Sequence, residues 1–553
     1  MSSPSPSSEQ PQSRNRPGSA CTECRRRKMR CDGKHPQCNN CSNAGIRCVF
    51  NPQPSRRGPK KGHLKSLQVR IANLENTLFG RTQDSLSTET SADGDVAAQP
   101  AMHDWTGESQ LYIPRNEFDI PAGAPTLGTV PISDLLHAEL DQLYFDRAHI
   151  FVPVLNARRY LSWTRDGSKS VPKRCLQYAM WTITTSMSAQ LEHLCEPLYQ
   201  SARELLGCLQ LGDENSNIDH IEHVQALLIL AIYEFTHHTF RRGWMSAGQG
   251  IRLTQLMNLH KIDLNKEGRA GPIEASGLDD PVCIEEKRRV FWVAYTLDRL
   301  ISLRQESPLT FDERVIATRL PAREEAFQTG QLSQTTGFLS KNIIEDRPLL
   351  KAELSEMVIL ASLCGKTVLH RQQAAAEQAD CGISNSFWDR HRWLDAMLAK
   401  NGQAILTLQP VASTMPVELA SLTPNLMIQS ALLYHCMTLQ LLAGGIESSE
   451  MALKSRQRAI LAAQEIIRLT GAVLQLSYFE IAPFTPLPIL LCAEVLMSYQ
   501  DTDASCALQL QEVLGMVQNL ANANHLCREW AIQHSDLFGS ESDFVHTEEE
   551  SHG

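Results

Sequence analysis

The sequence predicts a mostly α-helical protein with a small cysteine-rich module at one end and a large all-helical domain behind it. Six cysteines lie between residues 21 and 48, and a short heptad pattern of apolar residues follows them. Over residues 131–538, long amphipathic stretches alternate with breaks at glycine or proline, and the period-two alternation typical of strands is rare. A segment of roughly 400 residues can bury a large hydrophobic core.

The six cysteines are spaced C-x2-C-x6-C-x6-C-x2-C-x6-C, which makes two copies of C-x2-C-x6-C. Three thiolates within about two turns of chain suit tetrahedral zinc. Two zinc ions need about eight ligand positions, and six sulfurs fill eight positions only if two of them bridge. The spacing therefore predicts a compact binuclear cluster that holds two Zn²⁺, with His35 as a solvated loop residue. The predicted metal ligands are Cys21, Cys24, Cys31, Cys38, Cys41 and Cys48.

Two other uses of these cysteines fit the sequence less well. A disulfide framework implies an oxidising compartment, whereas residues 1–20 form a polar, serine- and proline-rich arm without the apolar stretch of a secretory signal. Cysteines packed as small apolar residues would have aliphatic neighbours, but Met29 and Ile46 are the only such side chains larger than alanine within the module. So polar a segment needs the free energy of metal binding, about 10–16 kcal/mol for a structural zinc site, in order to fold.

Positive charge is concentrated around the cysteines. Residues 14–70 carry 15 basic side chains against Glu23 and Asp32, a net charge of +13, while the whole chain carries −10 and its remainder therefore −23. A basic module on an acidic body favours binding of a polyanion such as double-stranded DNA, whose guanine N7 and O6 acceptors match lysine and arginine side chains. The basic side chains that would meet such a polyanion are Lys28, Arg27, Arg30, Arg25 and Arg26 in the module and Arg56, Arg57, Lys60 and Lys61 after it.

Residues 21–48 resemble the fungal Zn2Cys6 binuclear zinc cluster of transcription factors. Besides the cysteines, Arg25, Lys28, Asp32 and Pro36 fall where that family has them. The resemblance implies that Lys28, at the end of a short helix, reads a CGG-type triplet in the major groove. It also implies that two cysteines bridge the ions and that each ion is completed by one further pair. The bridging ligands would be Cys21 and Cys38, and the pairs would be Cys24 with Cys31 and Cys41 with Cys48.

A basic linker and a heptad segment follow the module. Residues 49–63 are rich in proline, glycine, arginine and lysine, and we expect them to follow the phosphate backbone and, at residues 56–61, to suit a nuclear import signal. Residues 64–79 show the a/d pattern of a coiled coil, which predicts a homodimer; with about two heptads, an intramolecular helix is the alternative. Arg70 and Glu75 would pair across a parallel dimer. The dimerisation residues are Leu64, Leu67, Ile71, Leu74 and Leu78.

The rest of the chain divides into a linker, a large domain and a tail. Residues 80–130 are predicted to be a disordered linker, and residues 131–538 a helical domain without a membrane span, because the apolar run at 226–232 is far shorter than 18 residues. Helices are predicted at 132–147, 172–186, 219–236, 240–259, 284–304, 350–378, 425–443, 450–470 and 504–531.

The helical domain resembles the fungal-specific transcription factor domain. The resemblance lies in residues 242–261 and 285–299, with Arg288-Arg289, Phe291-Trp292 and Asp298-Arg299 as its signature, and in the extended stretch 311–321. The family's usual glycine-arginine pair before Pro308 is replaced here by Glu306-Ser307. The resemblance implies a regulatory domain, which in some members senses a metabolite or inhibits the protein.

Motifs of enzymes are incomplete or absent in the sequence. Gly365-Lys366-Thr367 lacks the first glycine of a phosphate loop, and Gly248-Gln249-Gly250 lacks the third glycine of a dinucleotide fingerprint. Neither H-E-x-x-H nor G-x-S-x-G occurs. The ten remaining cysteines are expected to be buried thiols, and His237-His238 to have surface or capping roles. We therefore predict no catalytic residue and no enzyme activity.

Acidic residues alternate with Leu537, Phe538 and Phe544 in residues 535–553, of which 539–553 form an acidic tail. This pattern suits an activation segment that docks on coactivators, or else a frayed terminus. The sequence predicts a nuclear, zinc-dependent regulator of RNA polymerase II genes, with a lean towards an activator of a secondary-metabolite gene cluster. The alternatives are a regulator or repressor of a catabolic or nutrient pathway, and a metabolite-binding or catalytic helical protein tethered to DNA.

Overall fold

The structure is a computed structural model in which the chain forms two compact units, divided near residue 118. It describes residues 21–34, 36–49, 132–164, 166, 169–211, 220–264, 280–332, 336–344, 354–380, 382–408, 419–441, 450–476 and 481–538. The arm at 1–20, the linker residues 50–63, the heptad segment 64–79, the linker 80–130 and the tail 539–553 lie outside the described residues.

In the N-terminal unit the described residues 21–34 and 36–49 form two short helices, α1 (Thr22–Arg26) and α2 (Asn39–Asn43). Each follows a cysteine, and each ends in a turn with a left-handed residue, Lys28 at φ 55° and Gly45 at φ 64°. The buried side chains of this unit, within the part that the structure describes, all belong to cysteines. An ordinary apolar core is therefore replaced by sulfur atoms.

The second unit is built from helices of 6 to 27 residues. A π-helical turn (Tyr144–Ala148) extends the first of them, and a single antiparallel bridge joins Arg319 to Phe338. The helices are α3 (Asp134–Leu143), α4 (Ala157–Thr164), α5 (Val171–Ser186), α6 (Cys195–Leu211), α7 (Ile221–His237), α8 (Phe240–Leu256), α9 (Pro281–Gln305), α10 (Glu324–Thr329), α11 (Leu339–Ile344), α12 (Leu354–Asp380), α13 (Asn385–Leu408), α14 (Leu419–Leu441), α15 (Glu450–Val473), α16 (Pro486–Tyr499), α17 (Ala504–Ala521) and α18 (His525–Gln533).

Helix α9 lies at the centre of this unit, packed against α8 and α12, while α12 also packs against α14. It begins at a proline preceded by Asp280, whose carboxylate accepts the N–H of Val282 at 3.1 Å, an N-cap that suits a proline in the first turn. Phe291 and Trp292 on this helix are fully buried. Burial of large aromatic side chains contributes much of the hydrophobic stabilisation of such a core.

The C-terminal half of α9 holds the extended segment that follows it. The Asp298 carboxylate accepts the main-chain N–H groups of Thr310, at 3.1 Å, and of Phe311, at 3.3 Å. The Arg299 guanidinium donates to the carbonyl of Phe311 at 2.7 Å. These bonds satisfy a buried irregular backbone and explain why an Asp-Arg pair stands at this point of the helix.

The N-terminal half of α9 binds the same segment further along. Arg288 donates to Asp263 at 2.8 Å, and Arg289 contacts Glu285 at 3.3 Å and donates to the carbonyl of Ala322 at 2.9 Å. Each guanidinium is therefore compensated by a carboxylate, which a buried arginine requires. The arginine pair of the sequence signature thus has a structural role in the core.

Glu306 ends helix α9 in the left-handed conformation, with φ 53°. This is the position at which the resembling family has glycine, and glycine adopts that conformation without steric cost. Here the glutamate side chain pairs with Arg371 at 3.1 Å, and its carbonyl accepts from Gln372 at 2.7 Å. The loop therefore keeps the geometry expected for glycine although its sequence differs.

Where the structure describes them, the predicted helical stretches are helical, except that one of them contains a break. The stretch 504–531 is not one helix, because α17 ends at Ala521 and Asn524 caps the new helix α18 by accepting the N–H of Leu526 at 3.0 Å. Four substantial helices were not predicted, namely α4, α6, α13 and α16. Helix α16 is apolar on nearly every face, so it lacks the helical periodicity on which the prediction depended.

The incomplete enzyme motifs lie inside helices. Gly365, Lys366 and Thr367 belong to α12, where Lys366 pairs with Glu313, so no phosphate loop is formed. The expectation that all ten remaining cysteines are buried is wrong for Cys208, which is exposed, and Cys283, which is half-buried. Most of the others are buried; desolvation raises the pKa of the Cys364 thiol to about 12.

His237, Leu537 and Phe538 also have roles in packing. His237 stacks on Tyr233 with ring centroids 4.7 Å apart, and both His237 and His238 are half-buried at the end of α7, so the expected surface role is wrong for them. Leu537 and Phe538 pack against the main core, so these two residues belong to the folded domain and the interpretation of them as part of a tail segment was wrong. A search of the described helices finds none long and apolar enough to cross a membrane.

Candidate metal centre and nucleic-acid interface

The sulfur atoms of the N-terminal unit form two sets of four, and within each set all atoms lie within 4.8 Å of one another. Cys21 Sγ lies 3.7 Å from Cys38 Sγ, and Cys24 Sγ lies 3.6 Å from Cys38 Sγ. Two sulfurs bound at about 2.3 Å to one tetrahedral zinc lie about 3.8 Å apart. The spacing therefore fits two ions that share two thiolates. The sets are Cys21, Cys24, Cys31, Cys38 and Cys21, Cys38, Cys41, Cys48.

Each sulfur that belongs to both sets accepts a main-chain N–H from the helix that follows it. The N–H of Cys24 donates to Cys21 Sγ at 3.4 Å, and the N–H of Cys41 donates to Cys38 Sγ at 3.4 Å. A thiolate is stabilised at this position by the N–H groups of a helix N-terminus. The third N–H contact of this kind runs from Cys38 to Cys48 Sγ at 3.5 Å.

The pKa values of the thiols follow these contacts. Burial raises the pKa of Cys21, but the N–H of Cys24 and the neighbouring thiols outweigh it and lower the pKa to about 6. The main-chain bond from Cys41 likewise lowers the pKa of Cys38. Burial instead raises the pKa of Cys24 to about 12. Among the cysteines whose pKa is shifted, the two shared sulfurs are those for which main-chain N–H groups favour the thiolate and the pKa is lowered.

Loops around the cluster are held by polar side chains to which the sequence analysis gave no role. The Asp32 carboxylate accepts the N–H of Asn39 at 3.2 Å, at the start of α2. Asn40 Nδ2 donates to the carbonyl of Arg30 at 2.7 Å, and Gln37 Nε2 donates to the carbonyl of Ile46 at 2.9 Å. Asp32 stands seven residues before Asn39, so no local sequence pattern indicates this bond.

The end of α1 presents the basic side chains expected at the DNA. Arg26, Arg27, Lys28 and Arg30 are exposed. Glu23 accepts from both Arg26, at 2.7 Å, and Arg27, at 2.8 Å, which fixes these two guanidinium groups on one side of the helix. Lys28 forms no hydrogen bond or ion pair through its side chain among the residues that the structure describes.

The structure does not place the other predicted contacts. The side chain of Arg25 lies outside the described residues, as do Arg56, Arg57, Lys60 and Lys61 and the dimerisation residues Leu64, Leu67, Ile71, Leu74 and Leu78.

Comparison with protein families gives two matches. Residues 19–58 match the family described as "Fungal Zn(2)-Cys(6) binuclear cluster domain", and residues 142–459 match the "Fungal specific transcription factor domain". The second match covers more than half of the chain. The first contains all six cysteines, and its cofactor is two zinc ions, for which the cluster has the thiolates in place.

Known proteins are similar over nearly the whole length. The "Citrinin biosynthesis transcriptional activator ctnR" of Monascus purpureus is 36% identical over 95% of this chain and 94% of its own. The "Pigment biosynthesis transcriptional activator pigB" of Monascus ruber is 37% identical over 96% of each chain. The "Azaphilone cluster-specific transcription factor azaR" of Aspergillus niger is 37% identical over 73% of this chain and 82% of its own.

Both domains and their order are therefore accounted for by one family, whose members bind DNA through the zinc cluster and regulate transcription rather than catalyse reactions. The protein belongs to the fungal Zn2Cys6 transcription factors that carry a fungal-specific transcription factor domain.

Proposed function

We propose that this protein is a nuclear, pathway-specific activator that switches on the RNA polymerase II genes of one secondary-metabolite cluster. The observation that carries the proposal is similarity across both domains, over 95% of this chain, to a protein described as a biosynthesis transcriptional activator. Relatives described as acting in pigment and azaphilone biosynthesis support the same class of target. Because the similarity extends through the regulatory domain, it favours a shared mode of regulation and not only a shared DNA-binding domain.

The zinc ligands follow from the two sets of sulfur atoms. Cys21 and Cys38 bridge the ions, because these two sulfurs belong to both sets and accept helix N–H groups. Cys24 and Cys31 complete one tetrahedron, and the remaining two cysteines, Cys41 and Cys48, complete the other. The free energy of zinc binding then supplies the stability that a unit without an apolar core lacks.

Recognition of DNA centres on Lys28. Its position at the end of α1, its exposure and its unengaged side chain among the described residues support a contact with guanine in a CGG-type triplet. Arg27 and Arg30 flank it at the same helix end, and Arg25 and Arg26 add positive charge there. The linker residues Arg56, Arg57, Lys60 and Lys61 then contact phosphates, which raises affinity without selecting sequence.

Two copies of the chain bind as a homodimer through the heptad segment. This part of the proposal depends on the a/d pattern of Leu64, Leu67, Ile71, Leu74 and Leu78. A dimer places two readers on two triplets, so their spacing on the DNA becomes part of the recognised sequence. The acidic tail at 539–553 docks on coactivators through its mixture of acidic and apolar residues.

The experiment that tests the proposal is genome-wide occupancy of the tagged protein in its native cell, paired with transcript levels after deletion. We expect occupancy over CGG triplets upstream of one contiguous gene set that falls silent on deletion. Scattered occupancy, with genes whose transcripts rise on deletion, would instead identify a broad regulator or repressor. A Lys28→Ala variant expressed at the same level is the matched control, because it should lose the peaks while the protein stays folded.

A further inference from the structure

A cavity of about 490 Å³ lies inside the helical domain. Helices α9, α12, α14 and α16 form its walls, together with the π-helical turn after α3 and the segment before α16. The π-helical turn and Pro424, which lies within α14, interrupt regular helix packing at its border. Most lining residues are apolar, among them Phe145, Phe151, Leu300, Met357, Met427 and Phe484.

The volume and lining indicate an organic occupant. An apolar cavity of about 150 Å³ already takes up benzene, and known ligand pockets range over about 300–1,000 Å³. Ordered water would need two to four polar partners for each molecule, and this lining offers few. The volume and the lining of the cavity therefore favour a mainly apolar organic molecule.

Two polar atoms of the lining are buried without a hydrogen-bond partner among the described residues, Thr296 Oγ1 and His149 Nδ1. His149 Nε2 lies 2.8 Å from the carboxylate of Glu324. Because an ionised carboxylate can only accept, Nε2 carries a proton, and Nδ1 is left for another partner. A ligand hydroxyl, which can both donate and accept, would pair with Nδ1, and the hydroxyl of Thr296 can likewise donate to or accept from the same ligand.

The charges of the lining select against an anion. Arg289 is the buried cation, but four of its five N–H donors are taken by Glu285, by Glu324 and by the carbonyls of Pro153 and Ala322, so that two carboxylates already balance its charge. Although burial raises the pKa of Glu324, the hydrogen bond from His149 and the charge of Arg289 hold it at about 2. The carboxylate is therefore ionised and faces the same space. A ligand carboxylate would meet negative charge without gaining a free cation.

We propose that this cavity binds one neutral, mainly apolar compound that carries a hydroxyl group, oriented by His149 and Thr296. The site goes beyond DNA recognition, since it gives the regulatory domain its own small-molecule ligand. Its occupancy is measurable on the purified chain and does not depend on which genes the protein controls.

The test uses the full chain and the neutral fluorescent dye Nile red, displaced by phenanthrol or by phenanthrene carboxylate. We expect one dye site per chain and displacement by phenanthrol at a concentration at least tenfold lower than by the carboxylate. Thr296→Phe, which fills the cavity, should weaken dye binding at least tenfold. Thr329→Phe is the matched control, because it makes the same change at an exposed position outside the cavity and should bind dye normally.

Folding of each variant is checked by circular dichroism, and Thr296→Leu decides the question if Thr296→Phe does not fold. Equal dye binding by the wild type, both Thr296 variants and Thr329→Phe would overturn the proposal, because the dye would then lie elsewhere. Absence of a saturable site in the wild type, or equal displacement by the phenol and the carboxylate, would also overturn it. Failure of the cluster-activator proposal would leave these results unchanged.

Discussion

Lys28 and Gly45 hold equivalent positions in the two halves of the cysteine cluster, and both have a left-handed backbone, with φ of 55° and 64°. The N–H of Met29 donates to the carbonyl of Cys24 at 2.9 Å, and the N–H of Ile46 donates to the carbonyl of Cys41 at 3.0 Å, so both helices end in the same type of turn. Glycine is the usual residue at this position. The first half instead has the lysine expected at the DNA, at a backbone cost of about 1–2 kcal/mol.

Lys28→Gly should therefore separate stability from recognition. We expect the cluster to become more stable by about 1 kcal/mol, because the strain is relieved, while discrimination of CGG sites from random DNA falls by about 1–3 kcal/mol. Fluorescence anisotropy on both DNAs and a zinc-chelator titration measure the two effects.

Two controls accompany Lys28→Gly. In Gly45→Ala the added Cβ meets nothing within 4 Å, but alanine is strained at the left-handed φ of 64°. This variant should therefore lose stability without losing discrimination between the two DNAs. Lys60→Ala with Lys61→Ala should weaken binding to all DNA. Equal losses of Lys28→Gly on both DNAs would refute the role of Lys28.

Removal of a bridging sulfur should release both zinc ions. In Cys21→Ala we expect the bound zinc to fall from two ions per chain to none and DNA binding to be abolished, because Cys21 belongs to both sulfur sets. Elemental analysis and a DNA-binding assay measure this. Cys208→Ala, at an exposed thiol of α6, is the control and should keep both ions. Tryptophan fluorescence should stay unchanged, since residues 21–49 contain no tryptophan. If Cys21→Ala kept one zinc ion and still bound DNA, Cys21 would not be a bridging ligand.

Gly365→Ala should destabilise the helical domain although alanine favours helices. Its Cβ would lie 2.9 Å from Cδ of Arg299, whose guanidinium is buried and fixed by the carbonyl of Phe311. We expect a loss of about 1–3 kcal/mol, typical of overpacking, measured by urea unfolding followed by tryptophan fluorescence. Gly515→Ala, where a Cβ meets nothing, should instead gain up to about 1 kcal/mol. A gain in both variants would show that Arg299 can move.

Two histidines make the stability of the helical domain depend on pH. His370 and His391 are almost fully buried in the domain, and burial lowers the pKa of His370 to about 4 and of His391 to about 3. The unfolded chain protonates these histidines below about pH 6.5, whereas the folded chain does so only near pH 3–4. The free energy of unfolding should therefore be highest above pH 6.5 and fall as the pH drops towards 3–4. Each proton contributes a slope of at most about 1.4 kcal/mol per pH unit.

The variant His391→Phe should flatten this slope, because it removes one of the buried imidazoles that the unfolded chain protonates. Urea unfolding at several pH values, followed by circular dichroism, measures it. Trp388→Phe, on the same helix and packed against the same group of rings, is the control for altered packing and should keep the slope of the wild type. An unchanged slope in His391→Phe would mean that this histidine is not the source.

Polar residues in the heptad segment should prevent dimerisation. For Leu67→Gln combined with Leu74→Gln we expect the sedimentation coefficient of the full chain to fall to that of a monomer, because both a/d contacts lose their apolar surface. Affinity for paired CGG half-sites should fall while affinity for one half-site is kept. Ala72→Gln, at an outward b position, is the control. Unchanged sedimentation of the double variant would identify a monomer.

Much of the candidate site was predictable because its chemistry is local. Six cysteines at fixed spacing can meet only around metal, and the structure brings all six sulfurs together. The cap from Asp32 and the left-handed backbone of Lys28 were not predictable, since both depend on how two loops meet after the metal has ordered them. In the large domain, amphipathic helices were found from their periodicity, whereas the all-apolar α16 and the break at Asn524 were not.

The sequence alone determined the metal, the DNA-binding character and the helical class, because coordination number, charge and apolar periodicity are properties of residues at fixed chain separation. Only the tertiary structure decided which sulfurs lie in both sets. It also showed that Arg289 and Arg299 donate to buried main-chain carbonyls and that the helices around Thr296 leave a cavity. These features arise where segments far apart in the chain meet, and the volume left between packed helices depends on all of their side chains together.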